Sequence, residues 1–400
     1  MKSRHYEGRS HETSYLGLSG VRVLQIITTL NTGGAETMLR NVVGQFDRSK
    51  VETLVISLTT KTPIGDELEA VGIPVVALGG RDGFLTPRQL MGLFGAAAAW
   101  KPDVIHAWMY HANLAAHGLT LIARRPRPAL ITSVRGALNA PDRQKRTLRL
   151  VRRLDALLSR RADAIVFNSA TSAKQHLAIG YDPRNIEVIP NGFDTVKFAP
   201  SEARRTEIRE ALGCGSDPLV GVVGRFDPLK GHRVFLEAAK RVAADYLRCK
   251  FVLVGRGCDR SNELLLSWIR ELALGERVIL LGERRDVPSI DCALDVVISS
   301  SLSESFPNAI GEAMACEVPA VVTDVGDCAA LVADTGIIVP ARDAGALAAG
   351  ILDLLNRSAL TRSALGKRAR ERIIARYALP AVAERFVAVY EASLARHARN

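Results

Sequence analysis

The chain predicts an α/β fold of two doubly wound domains, and three observations carry that reading. Short runs rich in β-branched residues alternate with helical patterns through the first half, and the alternation starts afresh in the second. The runs are continuously apolar, as parallel strands buried on both faces require. At 400 residues the chain is too long for one ordinary hydrophobic core and suits two.

In the first half the strand-like runs are Val21 to Thr29, Val51 to Leu58, Ile73 to Leu78, Val104 to Trp108, Leu130 to Val134, Ala164 to Phe167 and Ile186 to Ile189. The second half supplies Leu219 to Val223, Phe251 to Val254, Val278 to Leu281, Val296 to Ser299, Ala320 to Thr323 and Ile337 to Val339. Helices between such strands give parallel sheets with a ligand crevice beyond their carboxyl ends. The least periodic stretch, Asp194 to Pro218, has Pro200, Gly213, Gly215 and Pro218 around a short charged helix. It predicts a linker at 196–217, between an N-terminal domain at 20–195 and a C-terminal domain at 218–379. Pro380 to Ala395 is an amphipathic helix within a final segment, 380–400.

Residues 1–19 are polar and are expected to be a mobile tail, without the continuous apolar region of a signal peptide. No apolar run reaches the roughly 20 residues that span a bilayer. A cytoplasmic protein, peripheral to the inner face of a membrane, is the expectation. The six cysteines, all in the second half, have no closely spaced pair, so reduced thiols are expected.

The net charge of +11 is concentrated in one place. Between Ala123 and Arg161 stand twelve Arg or Lys against Asp142 and Asp155, a local excess of ten. From Arg143 onward Leu148, Val151, Leu154, Leu157 and Leu158 recur at helical spacing. The segment 143–161 therefore predicts a basic amphipathic helix, one face packed and the other cationic. That cationic face suits an anionic membrane surface or a lipid-linked diphosphate; an ordinary solvated helix face is the alternative. Nucleic acid is not the expected partner, because Ala123 to Arg161 has no Phe, Tyr or Trp to stack on bases.

Chemistry concentrates around Glu304 and Glu312, eight positions apart, where a strand hands over to a helix. The backbone amides around Phe306 to Ala309 suit an anion at the helix start, which leaves the two carboxylates to accept from hydroxyls. Arg225 and Lys230 follow the strand Leu219 to Val223 in a loop punctuated by Gly224, Pro228 and Gly231, at the mouth of the second sheet. Gly33 and Gly34 follow the first strand, where missing side chains let backbone approach a phosphate. In the first half His106 ends a strand, and His111 and Asn113 open the next helix. His106 reads as a structural histidine at a strand end. No Asp-x-Asp occurs, and His106, His111 and His117 have no acids or cysteines at ligand spacing, so no metal is expected.

These motifs resemble the GT-B fold of retaining nucleotide-sugar glycosyltransferases, family 4. The resemblance rests on Asn31-Thr32-Gly33-Gly34-Ala35-Glu36, Val188-Ile189-Pro190-Asn191-Gly192-Phe193-Asp194, Val223-Gly224-Arg225-Phe226-Asp227-Pro228-Leu229-Lys230-Gly231-His232, and the glutamate, seven residues, glutamate segment from Glu304 to Glu312. It runs from about Val21 to the C-terminus. It implies two Rossmann-like domains facing a central cleft, with a C-terminal helix crossing back to the N-terminal domain. It also implies that the N-terminal domain takes the acceptor and the C-terminal domain the nucleotide sugar.

The resemblance assigns Arg225 and Lys230 to the donor diphosphate, Glu304 to the transferred sugar and Glu312 to the ribose hydroxyls. It makes Arg225, Lys230 and Glu304 the catalytic set. Donor contacts extend over Gly34, Ser305, Phe306, Pro307 and Asn308. Asn308 has two readings, a donor contact or a cap on the helix. From their place at the cleft side, His111 and Asn113 are read as binding acceptor hydroxyls or a pyrophosphate, and Arg135 joins this acceptor set where many relatives place a histidine against the donor sugar. The implied reaction moves a hexose or N-acetylhexosamine from a UDP-sugar to a lipid-linked saccharide in bacterial polysaccharide biosynthesis, without metal or other cofactor. A non-hydrolysing sugar-nucleotide epimerase of the same fold and a non-enzymatic anion-binding protein are the rival expectations.

Overall fold

The structure is a computed structural model that describes residues 20–81, 84–122, 127–138 and 146–397. Its N-terminal half runs β1 (Val21–Ile27), α1 (Gly34–Gly44), β2 (Val51–Ser57), α2 (Ile64–Ala70), β3 (Val75–Ala77), α3 (Pro87–Trp100), β4 (Val104–Trp108), α4 (Tyr110–Ile122), β5 (Ala129–Val134), α5 (Arg146–Leu158), β6 (Ala164–Phe167), α6 (Ala170–Ala178) and β7 (Ile186–Val188). The second half runs α7 (Glu202–Ala211), β8 (Leu219–Val223), α8 (His232–Asp245), β9 (Lys250–Val254), α9 (Glu263–Glu271), β10 (Val278–Gly282), α10 (Val287–Ala293), β11 (Val296–Ser299), α11 (Asn308–Ala315), β12 (Ala320–Thr323), α12 (Cys328–Val332), β13 (Gly336–Val339), α13 (Ala344–Asn356), α14 (Ala359–Tyr377) and α15 (Leu379–His397). The expected tail 1–19 and the start of the basic helix, 143–145, lie outside the described residues.

The strands form two sheets, in the orders β3-β2-β1-β4-β5-β6-β7 and β10-β9-β8-β11-β12-β13. Every pairing within them is parallel, as the apolar runs predict. Val23, Ile27 and Trp108 point to one side of the first sheet, while Leu24, Ile26 and Ile105 point to the other. Local signals agree with this frame. At α3, Thr86 accepts from the Gln89 amide, the Gln89 side chain accepts from the Thr86 amide at 2.8 Å, and Pro87 opens the helix.

In each sheet the chain winds outward from its first strand and then restarts on that strand's other side, so the loops after β1 and β4, and after β8 and β11, diverge. A crevice opens where they part. The two crevices face each other and place the site.

The chain leaves the first half at Phe193 and returns after Tyr377, and the two crossings are bonded together. The Phe193 amide donates to the Tyr377 carbonyl at 2.8 Å, and the Leu379 amide donates to the Phe193 carbonyl at 2.9 Å. Gly192 permits this approach, since a Cβ there would lie 2.9 Å from the Leu379 Cα. After the return, α15 buries Leu379, Val382, Ala383, Phe386, Val389 and Tyr390 in the same core as Val23 and Trp108. At about 1.5–3 kcal/mol for each large apolar side chain buried, this seam is far from marginal. The expected crossing helix is therefore an integral part of the first half.

Residues 196–217, expected as the linker, carry α7, which docks on the second half through two arginines, Arg209 buried and Arg205 partly so. Arg205 and Arg209 meet the Asp295 carboxylate at 2.6 and 3.1 Å, and Asp295 also accepts from the Leu219 amide at 2.8 Å. A helix anchored by arginines shows little apolar periodicity, so its packing is hidden from the pattern.

Candidate functional site

A cleft of about 620 Å³ lies between the halves at the two crevices, and the ends of β1 and of β4 through β11 contribute to it. From the first half come Gly34 after β1, Met109 after β4, Arg135 after β5, Asn168 after β6 and Asn191 after β7. The opposite wall carries Arg225 after β8, Arg256 after β9, Arg284 after β10, Glu304 after β11 and Glu312 on α11. Met109 has φ 74°, a left-handed conformation that costs a non-glycine residue free energy and is typical of functional loops.

The C-terminal wall is built from short segments. Asp227 caps the tight turn Pro228–Lys230 by accepting from the Leu229 amide at 2.9 Å, and its other oxygen holds Arg225 at 3.2 Å. Gly231 has φ 66°, and a Cβ there would fall 2.0 Å from the Ser300 carbonyl oxygen, so only glycine lets this turn press on the loop after β11. The Leu302 amide donates to the Leu229 carbonyl at 2.7 Å and Ser300 Oγ to the Lys230 carbonyl at 2.9 Å. Lys230 Nζ thereby reaches Glu304 Oε1 at 2.5 Å, and Ser301 Oγ donates to the same oxygen at 2.7 Å. Two groups expected to meet different parts of a donor are thus paired with each other.

Glu312 stands in the second turn of α11. Burial pushes its carboxyl up to about 7, against the pull of Lys197 and Arg40. Phe306 lines the cleft while its ring stacks on Phe193 at 6.1 Å, and Pro307 lies behind this wall, against Ser299 and Ser300. Ser305 and Asn308 join the halves. Ser305 Oγ donates to Asn168 Oδ1 at 2.6 Å. Asn308 Oδ1 accepts from Asn191 Nδ2 at 2.5 Å. The capping alternative for Asn308 does not hold, because α11 has no side-chain cap and this side chain reaches across the cleft. Its amide nitrogen lies 3.4 Å from where a Cβ on Gly34 would stand, so Gly34 faces Asn308 directly across the cleft. Asp327 tightens the seam by accepting from the Ala170 and Thr171 amides, at 2.9 and 3.1 Å, at the start of α6.

The N-terminal wall corrects the acceptor assignment. Asn113 is fully buried and donates to Asp155 Oδ2 at 2.9 Å, so it faces the interior and is closed to an acceptor. His111 is absent from the cleft wall and sets its ring edge-on to Phe84 at 5.3 Å. The cause is helical geometry: α4 starts at Tyr110, and it is Tyr110 that faces the cleft. His106 is the structural histidine of the expectation, buried and bonded to Tyr390 Oη at 2.8 Å and Ser133 Oγ at 2.6 Å. Burial, helped by the Arg135 charge, holds its imidazole well below the ordinary value. Of the three acceptor residues only Arg135 lines the cleft.

The basic helix is turned differently from the expectation. Val151, Arg152, Asp155 and Ala156 face inward, whereas Leu150, Leu154 and Leu157 are 59%, 42% and 54% exposed. Polar partners explain this. Asp155 accepts from Asn113 and from Tyr181 Oη at 2.6 Å, and Arg152 lies over the Tyr110 ring at 4.7 Å at the cleft edge. Sequence reasoning missed Tyr110, Arg152, Asn168 and Asn191 as cleft residues. Two of them carried a signal, Asn191 inside the Pro190-Asn191-Gly192 motif and Arg152 inside the basic segment 143–161.

Among the described residues no helix is long and apolar enough to cross a membrane, and no three His, Cys, Asp or Glu side chains converge as a ligand set.

Comparison with known proteins agrees with this architecture. Residues 32–197 match the family described as Glycosyltransferase Family 4, and residues 217–357 match Glycosyl transferases group 1. The chain is 38% identical over 147 residues to the UDP-Gal:alpha-D-GlcNAc-diphosphoundecaprenol alpha-1,3-galactosyltransferase of Escherichia coli, covering 36% of this chain and 38% of that enzyme. It is 34% identical over 210 residues to the D-inositol 3-phosphate glycosyltransferase of Mycobacterium sp. (strain KMS), covering 50% of this chain and 46% of that one. It thus spans less than half the length of either relative. The crystal structure of Anabaena HepE in complex with UDP superposes with a TM-score of 0.79 over 92% of this chain and 98% of that one, at 25% identity. The two family matches fall on the two halves that face the cleft, and the chain belongs to the GT-B glycosyltransferases of family 4.

Proposed function

We propose that the protein is a retaining glycosyltransferase that moves a hexose or N-acetylhexosamine from a UDP-sugar to a lipid-linked saccharide. The observation that carries this reading is the meeting of Arg225, Lys230, Glu304 and Glu312 on one wall of the cleft, opposite Gly34. Breaking the bond between an anomeric carbon and a phosphate oxygen leaves negative charge on the departing diphosphate, and fixed cations stabilise it. Lys230 and Arg225 supply them. On donor binding Lys230 turns from Glu304 to the phosphate, and Glu304 is released to accept from hydroxyls of the sugar. Glu312 accepts from the ribose, and the first amides of α11 face the phosphates. These cations do the work of a metal, so the reaction is metal-independent.

The acceptor lies on the N-terminal wall, at Arg135. The HepE complex with UDP and the E. coli relative's diphosphoundecaprenol-linked substrate support the donor and acceptor classes. The outer face of α5 supports a peripheral place on the inner face of a bacterial membrane, since Leu150, Leu154 and Leu157 stand exposed on a helix that also carries Arg146, Arg149 and Arg153. The polysaccharide role follows from the same acceptor class.

Incubation with a panel of nucleotide sugars and polyprenyl-diphosphate saccharides is expected to release free nucleoside diphosphate only when donor and acceptor are both present. Absence of turnover with every pair would sink the reading. Isomerised donor formed without acceptor would replace it with the epimerase.

A further inference from the structure

We infer that Arg135 is an oxyanion receptor on the acceptor wall, which makes a phosphate or carboxylate group on the acceptor a condition of tight binding. The inference rests on the transferase reading and names the chemistry of its second substrate.

Arg135 is only 9% exposed and lines the cleft just after β5. Its guanidinium lies 5.2 Å from the Trp108 ring centre and 5.7 Å from that of Phe386, which hold it from the side. One nitrogen, Nη2, donates to Asn191 Oδ1. Nε and Nη1 are buried and, among the described residues, have no hydrogen-bond partner. Among the described residues no carboxylate forms an ion pair with it, and burial alone draws its pKa down to about 9. A buried guanidinium without a counter-ion is costly, and its planar fork is shaped for two oxygens of one anion.

Asn191 and Asn308 bridge Arg135 to the start of α11, so the guanidinium is tied through Nη2 to the meeting point of the walls. The cations proposed for the donor diphosphate, Arg225 and Lys230, stand on the other wall. Arg152 adds a second positive charge to the acceptor side. An arginine held this way discriminates anionic acceptors from neutral ones, since a neutral acceptor leaves the fork unpaired.

The test has a binding arm and a turnover arm. Inorganic phosphate is titrated into the UDP-loaded protein, as wild type, Arg135→Met and Arg135→Lys, with UDP affinity measured in parallel. Phosphate affinity is expected to fall at least tenfold in Arg135→Met and to an intermediate extent in Arg135→Lys, which keeps the charge without the fork and serves if the methionine variant does not fold. UDP affinity stays within about twofold. In the turnover arm one acceptor saccharide is offered as its 1-phosphate, as a neutral methyl glycoside and as a methyl glycoside carrying a uronic acid. Wild type is expected to show a KM at least tenfold lower for an anionic form than for the neutral one, and Arg135→Met to erase the gap. Whether the phosphate or the uronic acid gives the gain identifies the source of the anion. Phosphate binding and acceptor preference unchanged in the variants overturn the inference, as does a loss of UDP affinity matching that of Lys230→Ala. The binding arm needs no turnover, so lost phosphate binding in a protein without transferase activity sinks the transferase reading alone.

Discussion

The two walls of the cleft are built by opposite means. The C-terminal wall holds its proposed donor groups with contacts inside two short segments, 225–231 and 300–312, pressed together by Gly231. The N-terminal wall takes one residue from each of several strand ends and steadies it with partners far along the chain, as in Asn168 with Ser305 and Arg135 with Phe386. The difference teaches where chemistry is constant and where it is free to vary. A diphosphate leaving group makes the same demand in every reaction of this kind, so a compact motif suffices. The proposed acceptor wall, assembled residue by residue, would change its specificity through single substitutions without disturbing the proposed donor groups.

That contrast breaks first at Lys230. Lys230→Ala removes a cation proposed for the departing diphosphate and is expected to lower kcat at least about a hundredfold, the scale of losing one group that stabilises developing charge. The readout is nucleoside diphosphate release at saturating substrates, and a kcat within severalfold of wild type would end the claim that this wall carries the chemistry. Glu312 sharpens the comparison through pH. With its carboxyl near pH 7, the ionised form that accepts from ribose prevails above that value and is lost as pH falls through it. Donor KM should therefore rise about tenfold from pH 8 to pH 6, following the ionised fraction, and Glu312→Gln should flatten the profile at the higher KM.

On the acceptor side, Leu154→Glu places a charge in the exposed stripe of α5. Sedimentation with vesicles containing anionic lipid should fall severalfold while UDP affinity is unchanged. Binding that is equal in wild type and variant would remove α5 as the membrane contact. The smallest effect concerns the seam. Asp327→Asn weakens the cap that the second half places on α6, at about 1 kcal/mol, which would shift Tm by a few degrees. A shift beyond about 10 °C would show the walls to be far more tightly coupled than these two bonds imply.

Much of the fold was legible because buried parallel strands advertise themselves as continuous apolar runs. All thirteen expected strands occur, and α15 crosses back to the first half. The proposed donor residues were legible for a related reason, since glycines, cations and acids at fixed short spacings bend and charge a loop locally. His111 and Asn113 misled because the side of a helix facing the cleft depends on where the helix begins, and a one-residue difference turns a side chain by about 100°. The face of α5 was misread because Leu154 and Leu157 counted as apolar core, whereas Arg152 and Asp155 took the inner side to meet Tyr110, Asn113 and Tyr181.

The sequence by itself determined two parallel α/β halves and the loop that brings Arg225, Lys230 and Gly231 to the end of β8, because strand burial and turn chemistry are written within a few residues. Only the tertiary structure decided that Lys230 rests on Glu304, that Asn191 and Asn308 meet across the cleft, and that Arg135 is buried with no counter-ion among the described residues. Those facts depend on residues tens to hundreds of positions apart arriving at one place. Such long-range contacts leave no local period, and a polar side chain alone does not say whether its partner is water, another residue or a substrate.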